Sequence, residues 1–248
     1  MKRMTNINSE GHDTAGIDRL DELLKGGIPL KTNVLVYAPP FIGKEIILKR
    51  FALSGLKNNE GVIFVLTDNS FSEVREEMIR LDPSYKEYEN RGMVRYIDVY
   101  SKSVELEEKD ERVTFIDSPV NREKIASSII QIHRENSGLS RMVFDSLSTL
   151  VVYSDAKAVF RFLQVLSGIC SRIGLTSLFS MTRGMHDEIE VQTMKHVMDG
   201  VIELREEGAK MQLRVQGCVE VISRHWVDYT LEEDEIRITG AFRMGRVA

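Results

Sequence analysis

The residues best suited to chemistry are Ala38-Pro39-Pro40-Phe41-Ile42-Gly43-Lys44-Glu45, set between an apolar run and an amphipathic one. A phosphate-binding loop reads G-x-x-x-x-G-K-[ST]. Its backbone N–H groups cradle phosphate, its lysine reaches the terminal phosphates, and its hydroxyl holds Mg²⁺. Here Gly43 and Lys44 are in place, while alanine stands for the first glycine and the carboxylate of Glu45 for the hydroxyl. A second acid, Asp145, ends the apolar run Met142-Val-Phe-Asp145, the form of a strand whose carboxylate orients hydrated Mg²⁺. Alone, Asp145 reads equally as a strand-end acid that caps Ser148 or a nearby amide. Paired with the loop upstream, it reads as the metal ligand of a nucleotide site. Asp68 follows the apolar run Val62–Leu66 and Thr67, and is the candidate base for activating water.

Glu45 can be weighed physically. A carboxylate about 5 Å from a phosphate charge repels it by roughly 3 kcal/mol at an effective dielectric of about 20. In the first turn of a helix the same glutamate faces free N–H groups and the positive end of the dipole. It then reads as an acid that fills the anion site itself.

Those residues need strands and helices to carry them. Asn33–Ala38 is short, apolar and stopped by Pro39-Pro40, as expected of a buried parallel strand, and Lys44–Leu56 supplies the helix. The alternation repeats through strand 62–66, helix 72–81, a break at Asp82-Pro83 and strand 94–99. Asn121 caps a helix with Ile125, Ile129 and Ile132 on one face. Strand Met142–Asp145 comes next, then a helix with Val159, Leu163, Leu166 and Cys170 in register, and strand Leu175–Met181. Alternating units predict an α/β fold with a mainly parallel sheet flanked by helices. From Gly200 the pattern alternates instead, through 201–204, 211–215 and 235–238, which predicts a C-terminal antiparallel extension.

Length and composition set bounds. The chain has 248 residues, 42% hydrophobic and 29% charged, enough for one continuous core over 14–240 between tails 1–13 and 241–248. No signal-like or membrane-spanning apolar segment is legible, so the expectation is a cytoplasmic protein with no membrane partner. Cys170 and Cys218 lie in apolar segments and read as core residues. The net charge of −5 and the acidic run Glu105–Glu111 make nucleic acid an unlikely partner. His186, Asp187, Glu188 and His196 lack the spacing of a helical zinc site and read as a polar loop. Trp226, beside His225 and Tyr229, reads as a partly buried edge-strand aromatic.

A family resemblance rests on longer segments. Thr14-Ala-Gly-Ile-Asp-Arg-Leu-Asp-Glu-Leu-Leu-Lys-Gly-Gly-Ile-Pro29, running into the strand and loop, resembles the KaiC-like and RadA-like branch of the RecA superfamily. Asp145-Ser-Leu-Ser148, Gly184-Met-His-Asp-Glu188 and Asp199-Gly-Val-Ile-Glu-Leu204 are similar to its stand-alone archaeal members. The resemblance implies a RecA-type P-loop fold, ATP and Mg²⁺ as cofactors, and a homo-oligomer with nucleotide between subunits. Such members place a Glu-Glu pair where this chain has Thr67-Asp68. KaiC carries a basic stretch, K-x-R-G-T-x-H, where this chain reads Gln216 to His225, so that only Arg224 and His225 could stand in.

Three functions follow as expectations. The first is a regulatory nucleotide-binding protein with weakened or lost ATP binding and hydrolysis, acting through itself or a protein partner. The second is an active ATPase with Asp68 as base. The third is a RadA-like DNA-repair accessory, whose loops should be basic, while Ser154–Lys157 and Arg183–Glu190 are neutral to acidic.

Overall fold

A computed structural model describes residues 11–106, 109–218 and 220–242. Strands β1 (His12–Asp13) and β2 (Ile28–Pro29) form a small antiparallel pair around helix α1 (Asp18–Leu23). Then come β3 (Asn33–Ala38), α2 (Lys44–Lys57), β4 (Gly61–Leu66), α3 (Phe71–Leu81), α4 (Tyr85–Asn90), β5 (Val94–Asp98) and β6 (Val113–Phe115). The alternation closes with α5 (Arg122–Glu135), β7 (Leu139–Asp145), α6 (Leu147–Tyr153), α7 (Ala156–Ile173), β8 (Thr176–Thr182) and α8 (Glu188–Val197). Four strands end the chain: β9 (Gly200–Glu207), β10 (Lys210–Gly217), β11 (Val227–Glu232) and β12 (Glu235–Ile238).

Ten strands make one sheet, in the order β12-β11-β10-β9-β3-β8-β7-β4-β5-β6. Pairing is parallel from β9 through β3 to β6 and antiparallel from β9 out to β12. The α/β expectation and the antiparallel extension are both found. β3 and β4 are buried at every position, because helices cover both faces of the parallel part. Val34, Val36, Val62 and Phe64 enter a core with α1 and α2, while Leu35, Tyr37, Ile63 and Val65 enter a second core with α5, α6 and α7. In the extension Leu204, Leu213, Val227 and Ile236 join the first core, while Val201 at the start of β9 joins the second.

Arg141 on β7 is fully buried and ties the N-terminal segment to this frame. Its guanidinium pairs with Glu60 at 2.6 Å and Asp13 at 3.5 Å, donates to the carbonyls of Thr14 and Phe51, and lies 4.6 Å over the Phe51 ring. Gly55 makes room for it, since a Cβ there would come within 2.4 Å of Arg141 Cδ.

Two readings are corrected. Residues 188–197 are a helix, not a polar loop: Asp187 accepts from the Glu190 N–H in a capping box, the D-x-x-E signature of a helix start. Trp226 precedes β11 rather than lying on an edge strand, and its ring meets the guanidiniums of Arg205 and Arg214 at 4.1 and 4.4 Å. β6, β11, α4 and α6 are further elements that the pattern did not yield. Most of tails 1–13 and 241–248, and part of the acidic run 105–111, lie outside the described residues.

Candidate functional site

The loop 38–45 leaves the C-terminal end of β3, the edge of a parallel sheet where ligands of open α/β folds bind. Ala38 is the last buried residue of the strand, and its carbonyl accepts from Arg183 N–H. Pro39 and Pro40 have no N–H to extend the ladder, so the chain turns. Phe41 sits at φ 66° and is 90% exposed, while Ile42 is buried. Gly43 takes φ 99°, a conformation glycine alone adopts freely, and its carbonyl accepts the first hydrogen bonds of α2, from Ile46 and Ile47.

Lys44 points inward and is 4% exposed. Its ammonium donates to Thr182 Oγ1 at 3.2 Å and lies 3.6 Å from Glu45 Oε1 and 3.9 Å from Asp145 Oδ1. Strand order explains the meeting, because β8, which carries Thr182, lies between β3 and β7. Asp145 does not cap Ser148. It accepts from the hydroxyl of Ser180, and Ser148 Oγ accepts from Thr182 N–H instead.

Thr67 and Asp68 follow β4, directly beside the end of β7. The Thr67 hydroxyl donates to the Ser146 carbonyl at 2.9 Å and accepts from Ser146 N–H at 2.7 Å. Asp68 accepts from Ser146 Oγ at 2.7 Å and from the hydroxyl of Thr149, and Thr67 Oγ1 lies 3.3 Å away. Crowding strips water from its carboxyl and raises its pKa, with neighbouring Asp145 adding to the rise and the Ser146 hydrogen bond opposing it. The effect is limited, because Asp68 still reaches solvent. A cleft of about 380 Å³ opens beside these groups, floored by Leu48, Phe64 and Val143 and rimmed by Glu45, Lys49 and Asp145.

The sequence-derived residues therefore converge: Gly43, Lys44, Glu45, Asp145 and Asp68 share one end of the sheet. Sequence reasoning missed Ser180, Thr182, Ser146 and Thr149, which hold the charged groups. Hydroxyl residues on either side of Met181 at the C-terminal end of β8 were the available signal for Ser180 and Thr182.

A family model described as ATPase: KaiC matches residues 14–240. The chain belongs to the KaiC ATPase family. A UPF0273 protein of Pyrococcus horikoshii is 30% identical over 190 residues, covering 76% of each chain. A UPF0273 protein of Methanopyrus kandleri is 24% identical over 236 residues, covering 91% of this chain and 90% of its own. A solved KaiC-like protein of P. horikoshii superposes with a TM-score of 0.71 at 19% identity, over 91% of this chain and 97% of that one, which supports the fold.

The family generally binds ATP and Mg²⁺. In this KaiC-family chain the residues that the motif assigns to phosphate, Gly43 and Lys44, stand in place at the start of α2. At the metal position a carboxylate stands at 45 where the motif has a hydroxyl, and Asp145 accepts from Ser180 and lies close to Lys44. Burial lowers the pKa of His186, and among the described residues no cluster of three or more His, Cys, Asp or Glu forms a metal site. No helix among them is long and apolar enough to cross a membrane.

Proposed function

We propose that this KaiC-family protein is regulatory, binds nucleotide weakly or not at all, hydrolyses it poorly, and acts by association with itself or a protein partner. The observation that carries this reading is the environment of Lys44, whose ammonium is shared by Glu45, Asp145 and Thr182 of the same chain. A terminal phosphate would have to displace the Glu45 carboxylate from Lys44 and then sit beside it, against a repulsion of about 3 kcal/mol per charge at 5 Å and a dielectric of about 20. Hydrolysis meets a second obstacle. Thr67 has no basic group to take a proton from water, and Asp68 already accepts from the hydroxyls of Ser146 and Thr149.

Calorimetric titration with ATP, with and without Mg²⁺, tests the reading. The expected dissociation constant is weaker than about 100 μM, an interaction under about 6 kcal/mol. Submicromolar Mg-dependent binding with turnover would overturn it. One observation favours an active ATPase: the raised pKa of Asp68 moves it toward the range of a general base. That reading requires turnover that rises with pH as Asp68 ionises and disappears in Asp68→Asn.

A further inference from the structure

The outer wall of the loop is built by the far end of the chain. Tyr229 on β11 is 3% exposed, and its hydroxyl donates a 2.6 Å hydrogen bond to the carbonyl of Ile42. Leu231 and Ile236, also from the β11–β12 hairpin, press on Gly43, where a Cβ would come within 2.9 Å of Ile236 Cδ1. The hairpin turn is tied to the loop's own helix, because Arg50 on α2 donates to the Asp234 carbonyl at 2.9 and 3.2 Å. A trans peptide holds its C=O and the next N–H on opposite sides. Pinning the Ile42 carbonyl toward the hairpin turns the Gly43 N–H away from it. In a loop that binds anions through backbone N–H groups, that orientation decides whether the cradle exists.

We infer that Tyr229 is a positioning residue of the phosphate loop, and that the terminal hairpin of the sheet sets the loop's shape through it. The inference rests on reading residues 38–45 as an anion cradle. Phe41 shows why a clamp is needed: it is a non-glycine residue at φ 66° whose side chain is exposed, so its own packing does not hold it. β12 ends the sheet on this side, and among the described residues no further strand pairs with its outer edge.

Tyr229→Phe keeps the buried ring and removes only the hydroxyl. Backbone relaxation is recorded at Phe41, Ile42, Gly43 and Lys44 in the full chain without nucleotide, with amide exchange at Ile46 and Ile47, which donate to the Gly43 carbonyl. The variant should raise fast motion at the four loop amides. It should also speed exchange at Ile46 and Ile47 at least tenfold relative to Val143 on β7. A uniform change at all sites marks a general loss of stability and overturns the inference. Should Tyr229→Phe fail to fold, Arg50→Gln, which frees the hairpin turn from α2, has to give the same local pattern; an unchanged loop there overturns it. In a Glu45→Thr background, Tyr229→Phe should weaken Mg-ADP binding about tenfold. Absence of any Mg-ADP binding would overturn the anion reading of the loop, while the nucleotide-free relaxation still decides the clamp.

Discussion

Glu45 separates this loop from the family pattern more than any other residue, and its carboxylate 3.6 Å from Lys44 gives the difference a geometry. Glu45→Thr removes the charge beside the phosphate position and restores a hydroxyl. Affinity for nucleotide should rise by about 10- to 100-fold, corresponding to about 1.4–2.8 kcal/mol, and only with Mg²⁺ present. Lys44→Ala in the same background should abolish the gain, and turnover should stay low because Thr67 is unchanged. If the parent already binds Mg-ATP tightly and Glu45→Thr changes nothing, the glutamate is not the block. Asp21 supplies a second residue-scale test. Its carboxylate accepts from Ala15 N–H at 2.6 Å and Gly16 N–H at 3.1 Å, but burial outweighs those bonds and pushes its pKa up to about 6 from 3.8. A carboxyl with a raised folded-state pKa contributes stability that is fully present below pH 3.8 and is lost as pH rises through about 6. Asp21→Asn stays neutral throughout. Between pH 7 and pH 4.5 the parent should gain about 2 kcal/mol over Asp21→Asn in urea unfolding; a flat difference would contradict the assignment.

Helix α2 shows how an element answers to what packs on it. Gly55 in its last turn would ordinarily be improved by alanine, by about 1 kcal/mol of helix propensity. Here the new Cβ would run into buried Arg141, so Gly55→Ala should destabilise by about 1–3 kcal/mol in chemical unfolding. A stabilised variant would mean that Arg141 can move aside, against its bonds to Glu60, Thr14 and Phe51. Helix α8 shows the opposite case, because its start is written locally in Asp187-x-x-Glu190, a signal masked by the polarity around it. β11 alternates Val227, Tyr229 and Leu231 with polar residues, a legible strand of the same kind. β6 has only three half-buried residues, too few for a period to appear, and pairs only because β5 lies beside it.

At the scale of the molecule, the outer edge of β12, which pairs with no further strand among the described residues, and the family resemblance predict self-association. Light scattering at micromolar concentration should give a mass above one subunit, and a strictly monomeric mass with every added nucleotide would count against it. Short single-stranded DNA should bind weakly at physiological salt, given the net charge of −5 and a segment after β8 that carries Asp187, Glu188 and Glu190 against Arg183. Anisotropy with submicromolar affinity would bring the repair reading forward.

The sequence by itself determined the fold class and which end of the sheet carries the candidate site. Continuous apolar runs, helical stripes and Gly43-Lys44 are local patterns, and a parallel sheet has few ways to satisfy them. The tertiary structure alone decided what each charged group meets. Thr182 reaches Lys44 only because β8 inserts between β3 and β7, and Tyr229 reaches Ile42 only because the sheet continues past β9 and its hairpin folds against the loop. Such contacts join residues more than a hundred positions apart. No periodicity encodes them, since they depend on strand order, which is settled when the whole core packs at once.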